Sequence, residues 1–182
     1  MQINMATTNW QLDPAHSEVT FRVRHLVIAT VSGKFDKFSS GVATEGDDFT
    51  SARIEFSVET GSVNTGVEAR DNHLRGDDFF NSEKYPLMTF QSTGMKQLGG
   101  DQYQLDGNLS IRDVTKPISL QVEFHGTVKD PYGNFKAAFE VTGALKRKEF
   151  GLRWDAFTET GGAVVSDEVK IQANVQFVKV PA

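Results

Sequence analysis

The side chains best suited to chemistry gather in two stretches. In the first, GSVNTGVEARDNHLRGDDFFNSEKYP between Gly61 and Pro86, the residues Arg70, Asp71, His73 and Arg75 lie close together. At helical spacing Arg70 and His73 share one face, and Asp71 and Arg75 share another. Paired arginines fork onto anionic oxygens, so the cluster reads as a headgroup- or phosphate-recognition patch. The same spacing suits a capping segment tied to its surroundings by ion pairs. The second stretch, KRKEFGLRWDAFTETGGAVVSD from Lys146 to Asp167, offers Arg147, Arg153 and Trp154 for the same two roles. There Trp154 suits either closing a cavity or sealing the end of a barrel. Outside these stretches, His25 ends an apolar stripe, where its ring could donate to a carbonyl headgroup or be satisfied by backbone. His16 suits tying down the turn after Pro14, and His125 falls on a polar face.

None of these groups forms a catalytic set at recognisable spacing. The chain has no G-x-S-x-G elbow, H-E-x-x-H, Walker loop or G-x-G-x-x-G. Asp71 with His73 resembles an acid–base pair, and Asp77-Asp78 resembles a metal site. One histidine and two adjacent loop carboxylates supply too few ligands, so no metal or cofactor is expected. The absence of cysteine excludes disulfides, thiolate nucleophiles and Cys-ligated metals. A catalytic site assembled across strands leaves no linear motif, so an enzyme remains an alternative.

The elements that must position these groups are strands. Val, Ile and Thr number 39 and the aromatics 19, together roughly a third of the 182 residues, against 10 Leu. Branched and aromatic side chains favour a pleated, half-buried surface. Apolar residues recur at every second position. Val19, Phe21 and Val23 share a face, as do Ile54, Phe56 and Val58, and Tyr103, Leu105, Leu109 and Ile111. The pattern continues in Ile118, Leu120, Val122, Phe124 and Val128, in Phe135, Phe139, Val141 and Leu145, and in Val169, Ile171, Ala173, Val175 and Phe177. One dry and one wet side per strand indicates antiparallel pairing.

Further strands are expected over Leu87–Met95 and from about Gly33 to Thr44. Leu98–Asp101 and Asp130–Asn134 read as hairpin turns. A short helix is expected over Val67–Leu74, starting near Asn64 or Thr65, and a helical turn near Leu26–Thr30. About eight strands with one apolar face must close or stack. Gly107, Ala137, Gly143, Ser92 and Gly94 interrupt the stripes, which suits a channel and interdigitated packing equally.

The remaining counts bound the partners. A net charge of −5 argues against nucleic acid, and no run approaches a membrane span. The N-terminal MQINMATTNWQLDP has neither a basic nor an apolar leader region. The expectation is therefore a cytoplasmic protein, or a periplasmic one if a leader has been removed. One domain over residues 1–182 is expected, with 1–8 as a poorly ordered extension. Val178 and Val180 on the last strand suit an edge or a dimer contact.

Four segments resemble the YceI-like family of lipid-binding bacterial proteins: LDPAHSEVTFRVRHL (12–26), SVNTGVEARDNHLRGDDFFNSEKYPLMTF (62–90), DVTKPI (113–118) and FGLRWDAFTETGG (150–162). The long middle segment, with RD-x-HL followed by DFF and KYP, is the most specific. Arg112-Asp113 departs from the His-Gly pair of many members, and Glu149 and Asp155 from a common Asp and Asn.

The resemblance implies an all-β fold: an elongated, lipocalin-like antiparallel barrel of about eight strands with short capping helices, often dimeric. It also implies a non-catalytic carrier of a long-chain isoprenoid, quinone or fatty amphiphile. On that reading Phe21, Val23, Phe56, Val58, Phe90, Leu109, Ile111, Leu120, Val122, Phe124, Phe139, Val141, Val175 and Phe177 line the cavity. His25, Arg70, Asp71, His73, Arg75, Arg153 and Trp154 are then the headgroup candidates. Two alternatives stand beside it: an enzyme or accessory factor acting on such a lipid at the Arg70–Arg75 cap, and a filled barrel serving as an interaction or stress module.

Overall fold

The computed structural model describes residues 5–156, 159 and 164–182. Its strands are β1 (Thr7–Leu12), β2 (Glu18–His25), β3 (Ala29–Phe35), β4 (Phe38–Glu45), β5 (Asp48–Glu59), β6 (Val63–Asn64), β7 (Leu87–Gly99), β8 (Gln102–Ile111), β9 (Val114–Lys129), β10 (Phe135–Lys146) and β11 (Val165–Lys179). The helix α1 (Glu68–Arg75) lies between β6 and β7. Every pairing is antiparallel. β11 pairs with β10 along its length, with β2 over its first half and with β1 over its second. β1 and β2 thus share one strand position, β3 and β4 share the next, and the sheet closes into an eight-stranded antiparallel barrel.

The joint between β1 and β2 is a short turn fixed by side chains. The Asp13 carboxylate accepts from Ala15 N at 3.1 Å and pairs with His16 Nδ1 at 2.8 Å. Ser17 Oγ donates to Asp13 O at 2.7 Å and accepts from Gln176 N at 3.0 Å, which ties the turn to β11.

One barrel end carries three tight turns, at 45–48, 99–102 and 129–135. These include the two hairpins expected from LGGD and DPYGN. The other end carries the β2–β3 hairpin, the β8–β9 turn, the α1 segment and the segment after β10. The two candidate stretches therefore meet at a single end. Residues 157, 158 and 160–163 of the second stretch lie outside the described residues, as do 1–4.

Several local expectations are corrected. Thr7 and Thr8, assigned to the extension, pair with Glu45 and Thr44. The strand expected over 33–44 starts at Ala29 and breaks at Asp36-Lys37. Leu26–Ile28 is a hairpin turn between His25 and its partner Ala29, not a helical turn. The helix begins at Glu68 after Val67, which makes no side-chain cap bond. Val178 sits on a strand paired on both sides, so β11 is no free edge.

Two face assignments fail at bulges, where one extra residue reverses the alternation. A register shift between Ala138 and Phe139 leaves His125 as the extra residue of β9, and Val128 is 58% exposed. A shift between Ser92 and Gly94 turns Gly94 outward and returns Met95 to the interior.

Candidate functional site

The barrel interior holds a cavity of about 180 Å³. Among the described residues its wall has no charged side chain, and only Thr20, Thr89 and Gln172 there carry a polar one other than the Trp10 indole. Trp10 Nε1 donates to Thr44 Oγ1 at 3.0 Å, so that indole is satisfied within the wall.

Of the expected lining, Phe21, Phe56, Val58, Phe90, Leu109, Leu120, Val122, Phe139, Val141, Val175 and Phe177 border this space. Val23, Ile111 and Phe124 do not. Val23 lies near the rim, two residues from the β2–β3 turn, and Ile111 is buried at the end of β8. Phe124 stacks within an aromatic cluster, 5.2 Å from Phe139 and 5.3 Å from Phe49 between ring centroids. That cluster includes Trp10, 5.4 Å from Phe49, and Phe177, 6.3 Å from Phe139. It packs the interior toward the end with tight turns.

Sequence periodicity missed Trp10, Phe35, Phe49, Met88 and Met95 in the wall. Phe49 has a specific reason. Ala43 pairs with Arg53 but Glu45 with Asp48, so an irregularity in β5 moves the inward position from even to odd residues.

The glycines of the stripes make room for neighbouring rings and branches. A Cβ on residue 107 would lie 2.3 Å from Phe90 Cζ, and one on residue 33 would lie 2.4 Å from Phe21 Cζ. One on residue 143 would lie 2.5 Å from Leu120 Cδ2. Small and large residues interdigitate within the wall, and the cavity is the space their packing leaves.

At the capped end, the charged candidates bond to the chain itself. Asp71, buried, accepts from Thr65 N at 2.8 Å and from Thr65 Oγ1 at 2.6 Å. Arg70 donates to Thr65 Oγ1 at 2.7 Å and Thr65 O at 2.9 Å. Arg75 donates to Gly61 O at 2.8 Å, Asn72 Oδ1 at 2.9 Å and Val63 O at 3.2 Å. None of the three borders the cavity. His73 Nε2 lies 2.9 Å from Asp78 Oδ2, and its ring stands edge-on to Phe79 and Trp154, each at 5.0 Å. His25 is half-buried at the rim opposite Ala29 and Val165, and Arg153 is exposed.

Two arginines outside the headgroup set hold the cap. Arg112, in the β8–β9 turn, donates to Asp77 O at 2.9 Å and Phe79 O at 3.1 Å and pairs with the Asp77 carboxylate at 3.2 Å. The Asp77-Asp78 pair is thus divided between Arg112 and His73. Arg147 is 3% exposed and donates to Trp154 O at 2.7 Å, Leu152 O at 2.8 Å, Ser166 O at 2.9 Å and Val165 O at 3.2 Å. Burial lowers its guanidinium pKa, and the Asp155 and Asp167 charges oppose that shift. Asp155 is held below the usual carboxylate range by its bond from Lys148. Arg147 also lies 5.9 Å over the Phe79 ring, linking the two capping segments. The neighbouring Phe80 packs edge-on to Phe35 of the cavity wall at 5.7 Å.

On the outer wall, His125 lies 3.9 Å from Glu123 and 3.8 Å from Glu140. This group is solvent-facing and separated from the cavity by the sheet.

The model of the YceI-like domain matches residues 10–177. A UPF0312 protein of Staphylococcus aureus strain N315 is 35% identical over 173 residues, covering 93% of this chain and 97% of its own. The crystal structure of a Campylobacter jejuni YceI protein superposes with a TM-score of 0.75 at 29% identity, covering 87% of this chain and 90% of its own. A polyisoprenoid-binding domain from Saccharophagus degradans superposes with a TM-score of 0.72 at 16% identity, covering 94% and 98%, and so shares the fold.

Proposed function

The chain belongs to the YceI-like family, and from that premise we propose that it is a non-catalytic carrier that holds the apolar chain of an isoprenoid or similar amphiphile inside its barrel. The observation that carries this reading is the cavity wall without a charged residue. The polyisoprenoid-binding domain of the same fold supports the ligand class.

Magnitudes favour an apolar chain. Each buried methylene contributes about 0.8 kcal/mol, so an isoprene unit contributes roughly 3–4 kcal/mol. A few units then offset the association cost and reach micromolar binding at about 8 kcal/mol. A cavity of about 180 Å³ is close to one that holds a benzene-sized guest. A longer chain therefore has to displace side chains along the same apolar stripe. The cap arginines and Asp71 bond mainly to backbone, so selectivity rests on chain volume more than on a headgroup.

The test is native mass spectrometry of the purified chain, followed by solvent extraction of whatever dissociates. A stoichiometric long-chain isoprenoid is the expected result. Val141→Phe fills the wall without adding charge and should lower occupancy. An empty protein that also fails to bind geranylgeraniol in titration refutes the carrier.

A further inference from the structure

The β2–β3 turn presents three branched apolar side chains to solvent. Leu26 is 40% exposed, Val27 67% and Ile28 88%. Leu26 and Val27 also have left-handed backbone, with φ of 55° and 66°. Asn or Gly enters that region at low cost, whereas a β-branched residue does not. The strain is not repaid by packing, because these side chains face outward.

The wall behind the turn is basic. Arg22 and Arg24 point outward along β2, and Arg22 stands directly opposite Lys170 of β11. Lys146 of β10 stands opposite Glu168 on the other side of β11. Like charges facing each other across a sheet are destabilising. Among the described residues, none of these four cations forms an ion pair. A chain with net charge −5 thus places a local basic patch beneath three consecutive exposed apolar residues.

We propose that this turn and the basic wall behind it dock the barrel on an anionic lipid bilayer, with Leu26, Val27 and Ile28 in the acyl boundary and Arg22, Lys146 and Lys170 at the phosphates. The dimensions agree. At about 3.3 Å per strand residue, Arg24 and Arg22 lie roughly 7–14 Å behind the tip. An interfacial anchor buries its apolar face about 5–10 Å deep, which leaves the cations at headgroup level. Arg24 Nη1 donates to Val27 O at 3.1 Å, so this arginine also braces the turn. Docking here brings the capped end of the barrel to the membrane surface. It does not depend on what the cavity holds.

The test is co-sedimentation of the full chain with vesicles of phosphatidylcholine and phosphatidylserine in equal parts, against phosphatidylcholine alone. Binding to the anionic vesicles is expected, at least about tenfold stronger than to the neutral ones and weakened by salt. The variant Leu26→Asn, Val27→Gly, Ile28→Ser removes the anchor while giving the turn residues suited to its backbone. It should bind at least about tenfold more weakly, with an unchanged or raised melting temperature. Arg22→Gln, Lys146→Gln and Lys170→Gln should each cost about fivefold. A wild-type chain that stays in the supernatant overturns the proposal, as does a tip variant that pellets like wild type. A wild-type dimer that becomes monomeric in the tip variant, without lipid binding, assigns the tip to a second copy and also overturns it. Native mass spectrometry on the same samples separates the two readings. A loaded barrel that ignores vesicles sinks docking alone, and an empty barrel that refuses geranylgeraniol yet pellets sinks the carrier alone.

Discussion

Whether the barrel interior is hollow or filled turns on one glycine. In Gly143→Ala the new Cβ would lie 2.5 Å from Leu120 Cδ2, while its next neighbours, two Ile171 atoms, stand at ordinary contact distances of 3.6 and 3.7 Å. Carbon atoms prefer about 3.5–4.0 Å, so the tip of Leu120 has to withdraw by roughly 1–1.5 Å. Leu120 borders the cavity of about 180 Å³, which gives it somewhere to go. Replacing glycine by alanine within a strand is worth about 0.5–1 kcal/mol of stability. Overpacking costs about 1–3 kcal/mol only when the surroundings cannot yield. With a hollow interior the two nearly cancel, and the urea-derived stability should stay within about 1 kcal/mol of wild type.

Affinity should respond differently. The displaced side chain removes room for one or two methylenes of a bound chain, each worth about 0.8 kcal/mol, or roughly a four- to fifteenfold weaker affinity. Gly41→Ala is the control, because nothing lies within 4 Å of its Cβ. Both variants would be titrated with geranylgeraniol and melted in urea. A loss of about 3 kcal/mol at Gly143 without change at Gly41 means that Leu120 has nowhere to go, and the filled-barrel reading prevails. Unchanged affinity together with unchanged stability removes this part of the wall from the binding site.

Arg147→Met should lower stability by about 3–5 kcal/mol, since it removes a buried charged donor and leaves carbonyls of Leu152, Trp154, Val165 and Ser166 unpaired. In calorimetry that is a melting temperature lower by roughly 6–20 °C, and Arg147→Lys should restore little because an ammonium cannot reproduce the fork. Asp71→Ala should lower hydrogen-exchange protection across residues 64–76 while the barrel amides stay protected, because both Thr65 donors lose their acceptor. Acid should act through carboxylates held below their ordinary 3.8: Asp106 by Ser119, Asp130 by Asn134, Asp155 by Lys148, and Asp13, where the His16 bond and charge together with weaker contacts outweigh burial. A lowered folded value stabilises fully above the unfolded one, so urea midpoints should be level above about pH 5 and fall as pH drops through the folded values. Midpoints that rise below pH 4 would contradict this assignment.

Alternation was legible wherever strands stay regular. Phe21, Leu109, Leu120 and Val175 could be placed inside from period two alone, because a single register governs each of their neighbourhoods. The same rule failed at Val128, Gly94 and Phe49, each displaced by a bulge or register irregularity. Bulges depend on the partner strand, which a single chain segment does not encode. The charged cluster shows a second limit. Helical spacing correctly brought Arg70–Arg75 onto α1, yet it could not show that Thr65, Gly61 and Val63 would take up their bonds. Arg112 passed unnoticed as an anchor, and Arg147 was placed in a cap without its partners, because their acceptors are mostly backbone carbonyls, which carry no sequence signature.

The division of labour among the arginines bears on how such a barrel discriminates. Those at the capped end, Arg70, Arg75, Arg112 and Arg147, satisfy carbonyls of loops that otherwise lack partners. A headgroup competing for them would have to break bonds that hold the cap closed, which makes a strong ionic contact there costly. Among the described residues, Arg22, Lys146 and Lys170 on the outer wall near Leu26–Ile28 form no ion pair, so anionic oxygens meet them without that penalty. Recognition of charge outside and of apolar volume inside are therefore separable functions of one sheet, set by alternate residues of the same strands. Arg22→Gln should change the first without the second, and Gly143→Ala the second without the first.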